Sequence, residues 1–131
     1  MSISELGIVC QSELDLVTTL SGGNQQKVMI GRWLSEKSEV LLLDEPFQGV
    51  DIKARRDIGS HIRQSSNERA TLVFVAELDE AVEIADKIVV LHEGSYAGIF
   101  ENKESNIVDI LSLYSGKSTK VAATATESLN G

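Results

Sequence analysis

The sequence has few aromatic residues, one cysteine and a deficit of positive charge. Aromatic residues make up 5% of the 131 positions, so the core is expected to consist of Leu, Ile, Val and Ala. Such a core favours packed α/β layers over an aromatic-rich β-sandwich. The lone Cys10 excludes a disulfide framework and indicates a reducing compartment. Because the chain also shows no signal-peptide pattern and no apolar run near the roughly 20 residues of a membrane span, it is predicted to be cytoplasmic.

Two further absences bear on ligands. The net charge of −8 would make a nucleic-acid backbone repel the chain as a whole, so no nucleic-acid partner is expected. No G-x-x-x-x-G-K-[ST] segment, the pattern that cradles nucleotide phosphates, occurs in the sequence. The chain alone is therefore not expected to bind a nucleotide through such a loop.

Apolar periodicity predicts alternating helices and strands. Ser21 is a natural N-cap for a helix over 22–37, and the continuous apolar run 40–43 is typical of a strand buried on both faces. The later predicted elements are a helix capped by Asp51, a strand at 71–75, a helix at 78–85, a strand at 87–91, a turn at 93–95, an antiparallel strand at 96–100 and a helix at 107–113. This alternation predicts an α/β fold with a mainly parallel sheet flanked by helices. Residues 117–131 are predicted to be a flexible tail.

The first motif is the run LSGGNQQK at residues 20–27, which opens the first predicted helix. Glycine permits close approach to the backbone, and the first N–H groups of a helix carry partial positive charge and have no internal partner. Ser21 adds a hydroxyl donor. These features suit a terminal phosphate, although a capped helix after a glycine turn explains the same residues.

The second motif places two carboxylates after the apolar run 40–43. Ligands of open α/β sheets bind beyond the C-terminal ends of the strands. An aspartate at such a strand end, here Asp44, is the usual type of residue to hold Mg²⁺. The next residue, Glu45, could orient or polarise an attacking water. A strand end with solvated acids fits the same two residues. The two motifs together, about twenty residues apart, are far more specific than either alone.

Together these motifs resemble those of the ATP-binding-cassette (ABC) ATPases. Residues 20–25 resemble the family's signature segment, residues 40–45 its Walker B segment and residues 49–51 its D-loop. The form LSGGNQQK is similar to the ATPase subunits of bacterial monosaccharide importers of the ribose, xylose and galactose type. The resemblance covers roughly residues 5–116. It implies that residues 1–116 form a partial ABC domain of the P-loop NTPase class, the C-terminal half of a second nucleotide-binding domain.

The resemblance implies roles in two ATP sites, because two cassettes of this family face each other head to tail. The residues expected to contact the nucleotide of the opposite cassette are Ser21, Gly22, Gly23, Asn24 and Gln25. In the chain's own site, Asp44 is expected to hold Mg²⁺ through water, and Glu45 is expected to be the catalytic carboxylate. Gly49 and Asp51 are expected at the interface between cassettes. The implied cofactors are ATP and Mg²⁺.

The implied partners are a second nucleotide-binding domain, a membrane permease and, through the permease, a periplasmic sugar-binding protein. The chain would then be peripheral to the inner face of the cell membrane.

The sequence departs from the family pattern in three places. The phosphate loop and the glutamine loop are missing, so the chain is expected to begin inside the helical subdomain. Ala76 stands where the family usually has a histidine that contacts the γ-phosphate, which predicts a degenerate ATP site. Phe47 and Gln48 stand where these sugar ATPases more often have Thr and Arg.

Three functions remain open from the sequence. The first is the distal part of a sugar-transport ATPase. The second is a non-catalytic half-domain that only packs on a permease or a partner cassette, which the missing phosphate loop favours. The third is a non-transport ABC ATPase that acts on DNA, against which the acidic charge and the NQQK extension argue.

Overall fold

The computed structural model describes residues 3–116, which divide into two compact units with the boundary after Ile84. The first unit contains helices α1 (Gly22–Ser35), α2 (Ile52–Gln64) and α3 (Leu78–Ile84) and strands β1 (Val40–Asp44) and β2 (Ala70–Phe74); the second contains strands β3 (Lys87–His92) and β4 (Ser95–Glu101) and helix α4 (Ile107–Tyr114). Short 3-10 turns cover Val17–Thr19, Ser65–Asn67 and Glu104–Asn106. None of the helices among residues 3–116 has the length and apolar character to cross a membrane. The tail predicted at 117–131 lies outside the described residues.

The first unit is built on a parallel strand pair, as the alternating pattern predicted. β1 and β2 pair in parallel from Val40 opposite Ala70 to Asp44 opposite Phe74, and α2 lies in the connection between them. Helices and strands share one apolar core, formed by Ile30, Leu34, Leu41, Leu43, Phe47, Ile58, Ile62 and Ile84. The C-terminal end of β1, where Asp44 lies, is therefore held on a packed layer of helices.

The prediction that β1 is buried on both faces is wrong for the described residues. Leu41 and Leu43 point into the core, whereas Val40 and Leu42 are 61% and 64% exposed. Successive side chains of a strand point to opposite faces, and the helices of this unit cover only one face of the strand pair. A continuous apolar run therefore forms here a strand with one buried and one exposed apolar face.

The second unit is an antiparallel hairpin with a helix against it. β3 pairs with β4 from Lys87 opposite Glu101 to His92 opposite Ser95, with a bulge between Val90 and Leu91. In the described residues β3 hydrogen-bonds to β4, so the two units carry separate two-stranded sheets. Among residues 85–116 the buried side chains are Ile88, Val90 and Ile110. The antiparallel fourth strand predicted from the sequence is confirmed.

The turn of this hairpin is a tight two-residue loop. Glu93 and Gly94 both have positive φ, 49° and 74°, as a type I′ turn requires. A glutamate in the left-handed region is strained, because its Cβ comes close to the following carbonyl.

We expect Glu93→Asn to stabilise the chain by roughly 0.5 kcal/mol, because asparagine tolerates the left-handed region and Asn-Gly is the favoured pair of this turn. Thermal unfolding followed by circular dichroism measures the change. Gly94→Ala is the matched control and should lower the melting temperature. A lower melting temperature for Glu93→Asn would contradict the turn assignment.

Candidate functional site

The part of the site that is expected to bind an anion is the N-terminus of α1. Ser21 lies in the extended region and caps the helix, with its Oγ accepting a hydrogen bond from the Asn24 backbone N–H at 3.4 Å. Ser21 and Gly22 are exposed. Ser21 is thus the N-cap as predicted, and the start of the helix lies at the surface.

The same helix end lies against the segment that precedes α2. A Cβ added to Gly22 would lie 3.8 Å from the carbonyl oxygen of Gly49, and one added to Gly23 would lie 3.4 Å from the Cβ of Ala54. Gly49 has a φ of +72°, and Asp51 caps α2 by accepting a hydrogen bond from the Ala54 N–H at 2.8 Å. The structure therefore brings the residues predicted for the signature segment next to those predicted for the D-loop.

The polar side chains after the two glycines all bond to this chain. Asn24 pairs with the backbone of Val9, the Gln25 amide donates to the Leu20 carbonyl, the Gln26 amide donates to the Pro46 carbonyl, and the Lys27 ammonium donates to Asp57 and to the Gly7 carbonyl. The distances lie between 2.7 Å for Lys27–Asp57 and 3.1 Å for Asn24–Val9. Each of these side chains thus fixes α1 to another segment of the first unit.

No role was predicted from the sequence for Gln26 or Lys27. The spacing of residues indicates that Lys27 is buried, because it shares a helix face with Ile30 and Leu34 at spacings of three and four residues. A lysine at such a position is expected to be buried and paired, and its side chain is 6% exposed beside Asp57.

Glu45 occupies a strained position at the end of β1. Its φ is +48°, and its N–H donates to the Phe74 carbonyl at 2.9 Å, which extends the pairing of β1 and β2 by one bond. The next two side chains, Pro46 and Phe47, are buried. Non-glycine residues in this region of φ persist only where their surroundings hold them, and they are concentrated at functional sites. Asp44 is exposed at the end of β1, directly before this turn.

Charged residues of α2 and α3 form a network near this end of the sheet. The Arg55 guanidinium lies 2.8 Å from Asp79 and 3.1 Å from Glu83, and its hydrogen bond to Asp79 holds the pKa of Arg55 above its ordinary value. Partial burial, and then the negative charge of Asp79, raise the pKa of Glu80, and the charge of Glu45 contributes in the same direction. Glu45 therefore shares its electrostatic environment with the first turn of α3.

Ala76 lies between β2 and α3 and is exposed. It follows β2, the strand that pairs with β1. Its methyl group has no hydrogen-bonding atom, so this side chain supplies no polar contact to a phosphate.

Comparisons with known proteins agree with these motifs. A family model described as ABC transporter matches residues 3–48. The arabinose import ATP-binding protein AraG of Pectobacterium atrosepticum is 40% identical over 112 residues, covering 85% of this chain and 22% of that protein. The ribose import ATP-binding protein RbsA of Bacillus cereus is 38% identical over 112 residues, covering 85% of this chain and 23% of that protein. The chain belongs to the ABC ATPase family.

A solved structure supports the ABC fold independently. An ATP-binding cassette of an ABC transporter, in its ADP conformation, is 26% identical with a TM-score of 0.62, covering 75% of this chain and 41% of that chain. The predicted resemblance to carbohydrate-importer ATPases is thus confirmed, and the α/β fold class with it. The chain spans about a fifth of the length of the curated relatives it matches.

The strain at Glu45 yields a stability prediction. We expect Glu45→Gly to stabilise the chain by about 0.5 kcal/mol, since glycine removes the left-handed penalty of about 1–2 kcal/mol and adds a smaller entropic cost. Glu45→Gln is the control, because it removes the charge and keeps the strain. Chemical unfolding measures both variants. A Glu45→Gly chain no more stable than Glu45→Gln would contradict the strained assignment.

The raised pKa of Glu80 yields a pH prediction. A carboxyl whose folded pKa lies above its ordinary value of 4.5 binds its proton more tightly in the folded state. Its contribution to stability is therefore lost as the pH rises through the interval between the two values. We expect Glu80→Gln to raise the melting temperature at about pH 7 and to leave it unchanged below about pH 4. The exposed Glu13→Gln variant is the control, and an equal effect of Glu80→Gln at both pH values would exclude this cause.

Proposed function

We propose that this chain is part of the ATP-hydrolysing subunit of a bacterial ABC importer for monosaccharides. The relatives named above are import ATP-binding proteins for arabinose and ribose. The observation that carries the proposal is the contact between the Ser21-capped end of α1 and the Gly49 segment, which follows the two carboxylates at the end of β1. These are the elements through which two ABC cassettes are expected to share ATP.

In this proposal Ser21, Gly22 and Gly23 contact the γ-phosphate of ATP held by a partner cassette. The start of α1 is exposed, and the N–H groups and the dipole of a helix N-terminus favour an anion there. The Ser21 hydroxyl adds a donor. Gly22 and Gly23 present no side chain between the phosphate and the backbone, and Gly49 and Asp51 lie at the interface between the cassettes.

The carboxylates at the end of β1 serve the chain's own ATP site. Asp44 is exposed at the end of a parallel strand, and no group of three or more potential metal ligands occurs among residues 3–116. The single carboxylate of Asp44 fits Mg²⁺, because this ion needs only one or two carboxylates when waters and phosphates complete its coordination. Bound there, Mg²⁺ would neutralise phosphate charge, while Glu45 would orient the attacking water.

The chain's own ATP site is proposed to be degenerate. Ala76 takes the place of the histidine expected at the γ-phosphate, so Glu45 would act without that imidazole. The signature segment would then be the more important contribution, because it completes the site of the first cassette.

The partners in this proposal are a second nucleotide-binding domain and a membrane permease, with a periplasmic sugar-binding protein acting through the permease. The chain is placed at the inner face of the cell membrane by its contact with the permease. The sugar itself is selected by the permease and the binding protein.

The asymmetry of the two sites can be tested in the transporter assembled with its permease. Ser21→Ala is expected to lower ATP turnover by about 100-fold, the loss typical of one donor removed from an anion site. Glu45→Gln is expected to lower turnover only a few-fold. Steady-state release of phosphate measures both.

Ser35→Ala is the matched control, because Ser35 lies at the other end of α1 and donates its hydroxyl hydrogen bond to the Gly31 carbonyl at 2.7 Å. It should leave turnover unchanged. Equal losses in the Ser21 and Glu45 variants would refute the asymmetry, and an active Ser21→Ala transporter would refute the phosphate contact.

A second candidate is a chain that only packs on a permease or partner cassette and takes no part in hydrolysis, since every side chain from Asn24 to Lys27 bonds within the chain. The two candidates differ in the assembled transporter, where the second one predicts that Ser21→Ala has no effect on turnover.

A further inference from the structure

The side-chain amide of Asn24 makes three hydrogen bonds in the first unit. Its Oδ1 accepts from the Val9 N–H at 3.1 Å, and its Nδ2 donates to the Val9 carbonyl at 3.1 Å. The same Nδ2 also donates to the Ser21 Oγ at 3.0 Å. Both Nδ2 hydrogens and the carbonyl oxygen are thus engaged within the chain.

The Val9 backbone fixes which way the amide faces. An N–H group can only donate and a carbonyl can only accept, so a flipped amide would face both groups with the wrong atom. The Nδ2 of Asn24 therefore stands on the side of Ser21, and the bond between them has only one direction: nitrogen donates and oxygen accepts.

That direction determines what the Ser21 hydroxyl does. The Oγ accepts from the Asn24 Nδ2 at 3.0 Å and, more weakly, from the Asn24 backbone N–H at 3.4 Å. A hydroxyl has two lone pairs and one proton, so both acceptor positions face Asn24. With both acceptor positions used by Asn24, the hydroxyl proton is expected to point away from Asn24. Because Ser21 is exposed, the proton is then available to a ligand at the start of the helix.

We propose that Asn24 is a positioning residue that makes the Ser21 hydroxyl a dedicated donor toward a phosphoryl oxygen, and that Asn24 does not itself bind the nucleotide. The inference rests on the proposed phosphate contact of Ser21. It assigns Asn24 a role different from the nucleotide contact expected from the sequence. Aspartate cannot replace it, since a carboxylate would accept the hydroxyl proton and turn it away from the ligand.

The hydrogen-bond arrangement is tested by nuclear magnetic resonance on the ¹⁵N-labelled 131-residue chain. Ser21→Ala should shift one of the two Asn24 Nδ2 protons upfield and leave the other proton and the Val9 N–H in place. Ser21→Thr should keep the original shift, because it keeps the hydroxyl. Unchanged Nδ2 shifts in Ser21→Ala, or an equal displacement of the Val9 N–H, would overturn the proposal.

Two further variants serve as an alternative and a control in this experiment. Ser21→Gly gives a second hydroxyl-free chain if Ser21→Ala does not fold, since glycine is also accepted at a helix N-cap. Gln25→Ala is the matched control, because Gln25 bonds to the Leu20 carbonyl and not to Ser21. It should leave the Asn24 protons unshifted, and a shift there would overturn the assignment of the signal to the Ser21 hydroxyl.

The functional role is tested by a double-mutant cycle on ATP turnover in the assembled transporter. Asn24→Ala is expected to lower kcat about tenfold, and the double variant with Ser21→Ala should be no slower than Ser21→Ala alone. Multiplying losses would show that Asn24 contacts the nucleotide itself and would overturn the inference. Full turnover in Ser21→Ala would instead refute the proposed function, while the proton shifts would still decide the hydrogen bonds of Asn24.

Discussion

The buried ammonium of Lys27 is the contact on which the geometry of the first unit depends. It bonds to the Asp57 carboxylate of α2 at 2.7 Å and to the Gly7 carbonyl at 2.9 Å. A buried charge without a partner is strongly destabilising, so the chain is constrained to keep these three segments together. Because α1 follows Ser21 and α2 follows Asp51, the same contact helps to set how the two helix starts lie against each other.

The turn after β1 shows how the surrounding structure holds a strained residue. Glu45 has a positive φ, and its N–H is bonded to the Phe74 carbonyl. Pro46 is buried, and its carbonyl accepts from Gln26 of α1 at 2.9 Å. The strain is therefore retained because packing and two hydrogen bonds over-determine the turn. The bond from Gln26 also links the helix that Ser21 caps to the turn that contains Glu45.

The sequence predicted the features that local rules control. The N-caps Ser21 and Asp51 and the hairpin turn at Glu93 depend on a few neighbouring residues, and the structure has them at the expected places. The exposed face of β1 could not be predicted, because a continuous apolar run does not indicate which of the two strand faces other elements will cover. The pairing of Asn24 with Val9 was also beyond reach, since it joins residues 15 positions apart through an irregular segment.

The polar contacts of the first unit differ between its two candidate functional regions. These are the signature segment at the start of α1 and the carboxylates at the end of β1. Every side chain from Asn24 to Lys27 bonds to the backbone or to a carboxylate of the chain, and these bonds hold the start of α1 in place. In the region at the end of β1, the side chain of Ala76 is only a methyl group. The negative charge of Glu45 there acts on Glu80 and contributes to the raised pKa of Glu80. A carboxylate repels an anion, and the methyl group of Ala76 adds no hydrogen-bond donor that would offset this repulsion. This imbalance is the physical reason for proposing that the chain's main contribution comes from the signature segment and not from its own carboxylate.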